Sequence, residues 1–266
     1  MFPIYRIPLA IAISWSVYRS TFFKFDDNMS DNTTCRNDLL DQYHKNKWSY
    51  ITTYNDVELY SKKVRYSNMI AFKGITTISK HIKELLPPFF DTSTTLKWVD
   101  FLTHIQEYPL KSPNNYNQEV ESLIHILARH ERRIKWDIVH QSLSLPYPLK
   151  RRDLVMTREI VFDLKNKVMR ALYASVDDNR FPLKDGVVRA ETPFTSWKFT
   201  SINKNGECKT IIELETLSDA KLPIPSFLVN YLQKYWPSKA LNKFKAVCAA
   251  YQSTGGTDFD RLVDRW

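Results

Sequence analysis

The sequence predicts an α+β fold in which a curved antiparallel sheet grips one long C-terminal helix over an internal cavity. Three observations predict it. Residues Val120 to Leu217 read as a long run of strands joined by short polar turns. Residues Pro223 to Tyr251 carry Ile224, Phe227, Leu228, Tyr231, Leu232, Trp236, Leu241, Phe244 and Cys248, the wide apolar face of an amphipathic helix. Aromatic residues reach 14% of the chain, which places much apolar area on few rotatable bonds and suits a thick core or a greasy hollow. A sheet bent round one helix cannot close tightly on itself, and the space left between them can hold a small apolar ligand.

The elements follow in order. Cys35 to Tyr54 opens with helical spacing at Asp38, Leu39, Leu40 and Tyr43, then runs into the β-rich Trp48-Ser-Tyr-Ile-Thr-Thr-Tyr54. Val57 to Tyr66 and Met69 to Thr77 are strand-like, with Ser67-Asn68 as their turn. Ile75, Ile78, Ile82, Leu85 and Leu86 recur at helical spacing, so a helix is expected over about Thr77 to Leu86, stopped by Pro87-Pro88. A second short helix is expected from Thr95 to Glu107, with Leu96, Val99, Leu102 and Ile105 on one side. Lys111 to Gln118 is a polar loop. The strands then come as Val120 to Arg129 and Ile134 to Leu143 around the charged turn His130-Glu-Arg-Arg133, and Asp153 to Leu164 and Lys167 to Val176 around Lys165-Asn166. Gly186 to Glu191, Ser196 to Ile202 and Lys209 to Leu217 complete the set. Asn205-Gly206 signals a tight hairpin, because both residues accept positive φ. Trp236-Pro237 predicts a kink in the last helix.

This divides the chain into an apolar N-terminal segment with a polar linker over 1–37, one ligand-binding domain over 38–251, and a tail over 252–266. The apolar run Ile7 to Tyr18, preceded by Arg6, would make roughly 18 Å of helix against a hydrocarbon core of ~30 Å, too short for a span. It reads as a signal-peptide core with Leu9-Ala-Ile-Ala12 as the small-residue site, as a peripheral greasy tail, or as an extension ahead of Met29. The expected location is cytoplasmic with peripheral membrane association, or the secretory pathway if the run is a signal.

Composition closes off several classes. Hydrophobic residues at 43% and charged residues at 25% exclude a wholly disordered chain. Five glycines exclude collagen-like and Gly-rich phosphate-loop architectures. A mean hydropathy of -0.39 excludes a polytopic membrane protein. Cys35, Cys208 and Cys248 form no CxxC pair, and so sparse a set suits a reducing compartment. The histidines make no HExxH, no GxSxG occurs, and no Cys–His spacing suggests a nucleophile, so the expectation is a protein that is not an enzyme and carries no cofactor or metal. The net charge of +9 points to an anionic partner, nucleic acid or an acidic membrane surface, without choosing between them. No recognised nucleic-acid motif surrounds the basic runs Arg129 to Arg133 and Lys150 to Arg152.

Four segments in order carry a resemblance. They are Lys97-Trp98; Pro146-Tyr-Pro-Leu-Lys-Arg-Arg-Asp153 running into Leu154-Val-Met-Thr-Arg158; Val188-Arg-Ala-Glu191, soon after Ser175-Val-Asp177; and Leu222-Pro-Ile-Pro-Ser-Phe-Leu-Val-Asn230. With them, residues from about 43 to 250 resemble the START domain, the StAR-related lipid-transfer module with the helix-grip fold. Three departures stand out: Val99 separates Trp98 from Asp100 where the family has Trp-Asp, Lys111 to Gln118 looks inserted, and Ala220-Lys-Leu222 replaces a Gly-Gly-Trp. The resemblance implies a monomer that holds one lipid (sterol, phospholipid or sphingolipid) in an internal cavity and moves it between membranes. Two alternatives stay open: an enzyme of cyclase or hydrolase type built on the same cavity, and a basic nucleic-acid-binding module.

The candidate lipid-binding residues are Arg152, Asp153, Tyr173, Arg189, Trp197, Phe227, Leu228, Tyr231 and Leu232. Arg152-Asp153 and Arg189 either read a headgroup or form a buried pair that braces the wall. Tyr173 and Trp197 lie in strands and either line the cavity or pack the outer core. Phe227, Leu228, Tyr231 and Leu232 share a helical face that the resemblance places over the ligand. The loop Leu143-Ser-Leu-Pro-Tyr-Pro-Leu149 corresponds, on the resemblance, to the rim that touches the bilayer. Leu145, Tyr147 and Leu149 have little reason to be apolar if the loop only faces water, and Lys150 and Arg151 beside them suit an anionic headgroup layer. A loop packed on its own domain is the other reading.

Overall fold

In the computed structural model, which describes residues 47–63, 70–109, 131–163, 165–204, 206–223 and 226–251, the described residues begin with three strands. They are β1 (Ser49–Tyr54), β2 (Val57–Lys63) and β3 (Ile70–Ile78). Asn55 and Asp56, at φ 48° and 59°, close β1 onto β2 in a two-residue turn of the kind that matches strand twist. Two short helices follow, α1 (Ile82–Phe90) and α2 (Thr92–Trp98). Then come β4 (Leu102–Pro109), β5 (Glu131–Leu143), β6 (Arg151–Asp163), β7 (Val168–Ser175), β8 (Val187–Arg189), β9 (Glu191–Lys204) and β10 (Glu207–Asp219). The last described elements are α3 (Ser226–Gln233) and α4 (Trp236–Ala250). The strands form a ten-stranded sheet in the order β1-β2-β3-β10-β9-β7-β6-β5-β4. Neighbours in that order pair antiparallel, and β8 adds to β6 in parallel.

Several sequence expectations are corrected. The first helix starts at Ile82, not near Thr77, because β3 runs on to Ile78 and His81 caps the helix: its ring accepts from Lys83 N while the Glu84 carboxylate accepts from His81 N. Pro87 and Pro88 lie inside α1 rather than ending it. Their fixed φ suits a helix; two donors are lost, and burial of Ile82, Leu85, Leu86 and Phe89 offsets the loss. The helix expected over Thr95 to Glu107 is a helix only to Trp98, and Leu102–Pro109 is β4. Glu131 to Arg133 belong to β5 and not to a turn. The single kinked C-terminal helix is two helices, with Pro237 in the first turn of α4, where its missing N–H is harmless. The Asn205-Gly206 expectation fits: Glu207 pairs with Lys204, and Gly206 sits at φ 81°. The helix ahead of Trp48, the turn Ser67-Asn68, the loop 111–118, the strand Val120 to Arg129 and both termini lie outside the described residues.

The main core fills the space between one face of the sheet and α1, α2 and α4. Phe162, Met169, Trp197, Phe199, Ile212 and Leu214 come from the sheet, and Leu241, Phe244 and Cys248 from α4. Phe89 stands at the centre, 5.0 Å from Phe199, 5.4 Å from Trp197 and 5.8 Å from Phe244 between ring centroids. Full burial of each such side chain contributes about 1.5–3 kcal/mol. α4 comes close because β3 offers Gly74 there: a Cβ on it would lie 2.9 Å from Pro237 Cβ, 2.9 Å from Leu241 Cδ1 and 3.2 Å from Val57 Cγ1. On the outer face, Ala71, Phe194 and Leu217 form a second, smaller core with Trp48, over whose ring Lys73 Nζ sits at 4.7 Å. Among the described residues no helix is long and apolar enough to cross a membrane.

Candidate functional site

The pairing registers set Asp137, Arg158, Tyr173, Thr195 and Thr216 side by side across β5, β6, β7, β9 and β10. Directly paired residues share a face, and side chains alternate along a strand. Thr195 stands two residues from Trp197, so this row lies on the same inner face as the main core. Arg158 is 3% exposed and Asp137 fully buried. Arg158 donates to Asp137 through Nε at 2.9 Å and through Nη2, and its Nη1 lies 2.7 Å from Glu107 of β4. Burial works to lower the guanidinium's pKa, but Tyr173, Glu107 and Asp137 together outweigh it and raise the value. Burial pushes the Tyr173 phenol up, against the pull of Arg158.

A chain of hydroxyls extends the row. Thr195 Oγ1 and Thr216 Oγ1 share a hydrogen bond at 2.9 Å, Thr216 and Ser218 Oγ share one at 3.0 Å, and Ser218 Oγ and Thr192 Oγ1 share one at 3.1 Å. Ser175 Oγ accepts from Thr192 N at 2.7 Å. α3 lies at this end of the sheet. Its Gln233 donates to Ser218 O at 3.0 Å, and its Asn230 Oδ1 accepts from Ile70 N at 3.3 Å.

Those two contacts correct one expectation. Asn230 and Gln233 fix the sheet-facing side of α3, and Tyr231 lies roughly 100° and 200° round the helix from them. Tyr231 is 65% exposed instead of lining the interior. The side chains of Phe227, Leu228 and Leu232 lie outside the described residues. Trp197 is buried in the aromatic core, 5.1 Å from Trp98, the tryptophan of the Lys97-Trp98 segment. The Asp100 that Val99 sets apart pairs with Lys243 of α4.

Arg152, Asp153 and Arg189 are not brought together with Tyr173 and Trp197. Arg152 gives its guanidinium to backbone carbonyls, Nε to Ala220 O at 3.0 Å, Nη2 to Lys221 O at 3.1 Å and Nη1 to Lys150 O. It ties the start of β6 to the end of β10. Asp153 is an odd number of residues from Arg158 and faces the outer side of the sheet. There it accepts from Arg189 Nε at 2.8 Å and Nη2 at 2.9 Å, with His140 Nε2 at 3.5 Å. The residues that do form the inner polar row, Glu107, Asp137, Arg158, Thr195 and Thr216, carried no role in the sequence reading. Arg158 closes a segment singled out there, but its partners come from β4, β5 and β7, and only the register joins them.

The loop between β5 and β6 ends in a turn closed by Leu149 N on Pro146 O at 3.0 Å. Tyr147 at its tip is 98% exposed, Leu145 and Leu149 are half-buried, and Lys150 and Arg151 are exposed.

No family model matches the sequence, and no curated protein matches it either. Solved structures do. Human STARD10 is 16% identical, with a TM-score of 0.61 over 85% of this chain and 84% of that one. Human StAR-related lipid transfer protein 5 is 12% identical, with a TM-score of 0.64 over 91% and 97%. A STAR-related lipid transfer protein from Xanthomonas axonopodis is 17% identical, with a TM-score of 0.53 over 76% and 98%. The fold of this chain is therefore START-like, the curved sheet and C-terminal helix of the helix grip.

Proposed function

We propose that this chain holds one lipid against the inner face of the sheet and carries it between membranes as a monomeric peripheral protein. One observation carries the reading. A sheet face otherwise lined by the apolar core carries one polar row, Asp137, Arg158, Tyr173, Thr195 and Thr216, and Tyr173 in that row is only partly buried. A partly buried polar group on an inner face suits a site that takes a ligand between the sheet and α3. The floor of that site is polar, with Arg158, Tyr173 and the Thr195–Thr216–Ser218 hydroxyls, and it can hydrogen-bond the polar end of an otherwise apolar molecule. Solved structures of this fold include two titled as lipid transfer proteins and human StarD13, titled a lipid transfer and protein localization domain.

The chemistry needed is physical. Each lipid CH₂ exposed to water costs about 0.8 kcal/mol, and an enclosed site removes that cost along the route. α3, which carries Phe227, Leu228 and Leu232, is the lid: it is a separate helix from the firmly packed α4 and meets the sheet through Asn230 and Gln233. Leu145, Tyr147 and Leu149 enter the membrane interface, with Lys150 and Arg151 on anionic headgroups. Native mass spectrometry of the purified protein tests the reading. A single added mass, released and identified as a sterol, phospholipid or sphingolipid, is expected. A chain that stays at its bare mass after incubation with vesicles containing all three refutes it.

A further inference from the structure

We infer that the membrane face is a three-pronged rim, in which Phe101 and the strap 176–186 with Leu183 join the Tyr147 loop, and that its occupant is a bilayer surface. This rests on the membrane-delivery reading above and assigns residues that reading does not use. Phe101 holds φ at 63°, a region that bulky side chains avoid. Its flanking core residues Trp98 and Leu102 are buried, while Phe101 itself is 52% exposed. The bend thus uses a strained backbone to hold an aromatic residue about half in water; strain of this sort gathers at functional positions. Phe101 O accepts from Ser144 N at 2.9 Å, so the bend and the Tyr147 loop are one surface.

The strap is latched from the outer side of the sheet. Phe181 lies 4.9 Å from Tyr108 and 5.0 Å from His140 between ring centroids, and Arg189 binds both Phe181 O and the Asp153 carboxylate. Two residues past that latch, Leu183 is 66% exposed. Lys184 O accepts from Val187 N, and Val187 pairs with Arg151, which keeps Leu183 within about 15 Å of the basic end of the Tyr147 loop. Lys184 and Asp185 are both exposed beside Leu183, so the strap acts as an apolar prong and the loop, through Lys150 and Arg151, as the charged one. Three separate apolar tips, one of them at 98% exposure, fit a fluid interface that admits each singly. A protein partner would need a contiguous apolar centre.

The test is flotation with phosphatidylcholine vesicles, with and without phosphatidylserine, at low and high salt. Lipid loading by native mass spectrometry and urea stability are read alongside. Leu183→Ser and Phe101→Gly should each lower vesicle partition about five- to tenfold at both salt concentrations, with loading unchanged. Phe101→Gly should be no less stable than the parent, since glycine accepts the left-handed φ. Arg189→Gln should weaken binding in the parent and add nothing to Leu183→Ser. Both prong variants floating like the parent, while Tyr147→Ala does not, would confine docking to the loop and overturn the proposal. A parent that carries lipid but fails to float, or that self-associates through this face instead, overturns it too. A parent that floats but carries no lipid overturns the carrier reading and leaves the rim standing.

Discussion

Replacing Asp137 by alanine probes the inner polar row where the structure makes the largest demand. Asp137 is fully buried and accepts from two nitrogens of Arg158, which is itself 3% exposed. Removing one partner of a buried ion pair costs about 3–5 kcal/mol, because the remaining charge cannot return to water. Glu107 stays 2.7 Å from Nη1, so the loss belongs at the low end, about 3 kcal/mol. In a domain of this size each kcal/mol moves the midpoint by about 2–4 °C, so thermal melting followed by circular dichroism should show a fall of about 6–12 °C. A shift below about 1 °C would mean that Arg158 is not held as described. A second variant separates stability from function. Arg158→Met with Asp137→Leu replaces the pair by apolar volume, a change that is neutral or stabilising by about 1–4 kcal/mol in other buried pairs. Glu107, at 20% side-chain exposure, can then reach water. This variant should fold and fail to load a lipid with a polar end. If it loads like the parent, the row braces the sheet and does not meet the ligand.

Other perturbations follow from particular contacts. Gly74→Ala should cost about 1–3 kcal/mol in urea unfolding, because the Pro237 ring cannot rotate away from the new methyl as Leu241 can; an unchanged midpoint would mean that α4 is free to lift from β3. Burial lowers the His140 pKa, against the upward pull of Asp153. The unfolded chain therefore takes up the proton first, so stability is full above about pH 6.5 and falls as the pH drops toward the folded value. His140→Gln should flatten that slope in urea melts between about pH 7.5 and 5.5, leaving the part due to His81, which burial also lowers; an unaltered slope would remove His140 from the account. Lys150→Ala with Arg151→Ala should weaken binding to anionic vesicles more than to neutral ones, with the difference fading at high salt; equal loss on both would take the charge out of docking.

The sheet was readable in the sequence because its strands advertise themselves locally. Asn205-Gly206 reads as a turn of residues suited to positive φ, and Lys204 pairs with Glu207 on either side of it, while Thr210 to Leu217 alternate as a strand should. The failures share a cause. Leu96, Val99, Leu102 and Ile105 recur every three residues, which suits a helix, and no glycine or proline marks the break; Phe101 makes it at an unfavourable φ. Pro87-Pro88 resembles a stop, yet tertiary burial of the residues around it outweighs two missing donors. For the site, Tyr173 was legible as a strand residue, but the row beside it was not. Its members come from strands far apart in sequence, and a shift of one residue in any register would turn them to the other face. Arg152 and Asp153 show how sharp that dependence is: adjacent in sequence, one reaches inward round the strand end to backbone carbonyls and the other pairs with Arg189 outside.

The same registers orient a bound molecule, on the proposed reading. Thr195 and Thr216 pair across β9 and β10, and one step along, Trp197 pairs with Leu214, about 7 Å away. Beyond that step the interior is taken by the protein's own rings, with Phe89, Trp98, Trp197 and Phe244 in mutual contact. In the other direction lie Ser218, Ser175 and α3, and past them the ends of the strands that carry Tyr147 and the strap. On that reading the ligand lies between the polar row and α3, on the side of the proposed membrane rim, and not toward the aromatic core. A lipid lodged there has its polar end at Arg158 and Tyr173 and its apolar body under α3, and it leaves body first. That order matches the physics of delivery: the apolar part passes straight from the protein into hydrocarbon at the rim, and the polar end, last to leave, exchanges the hydroxyl row for the headgroup layer.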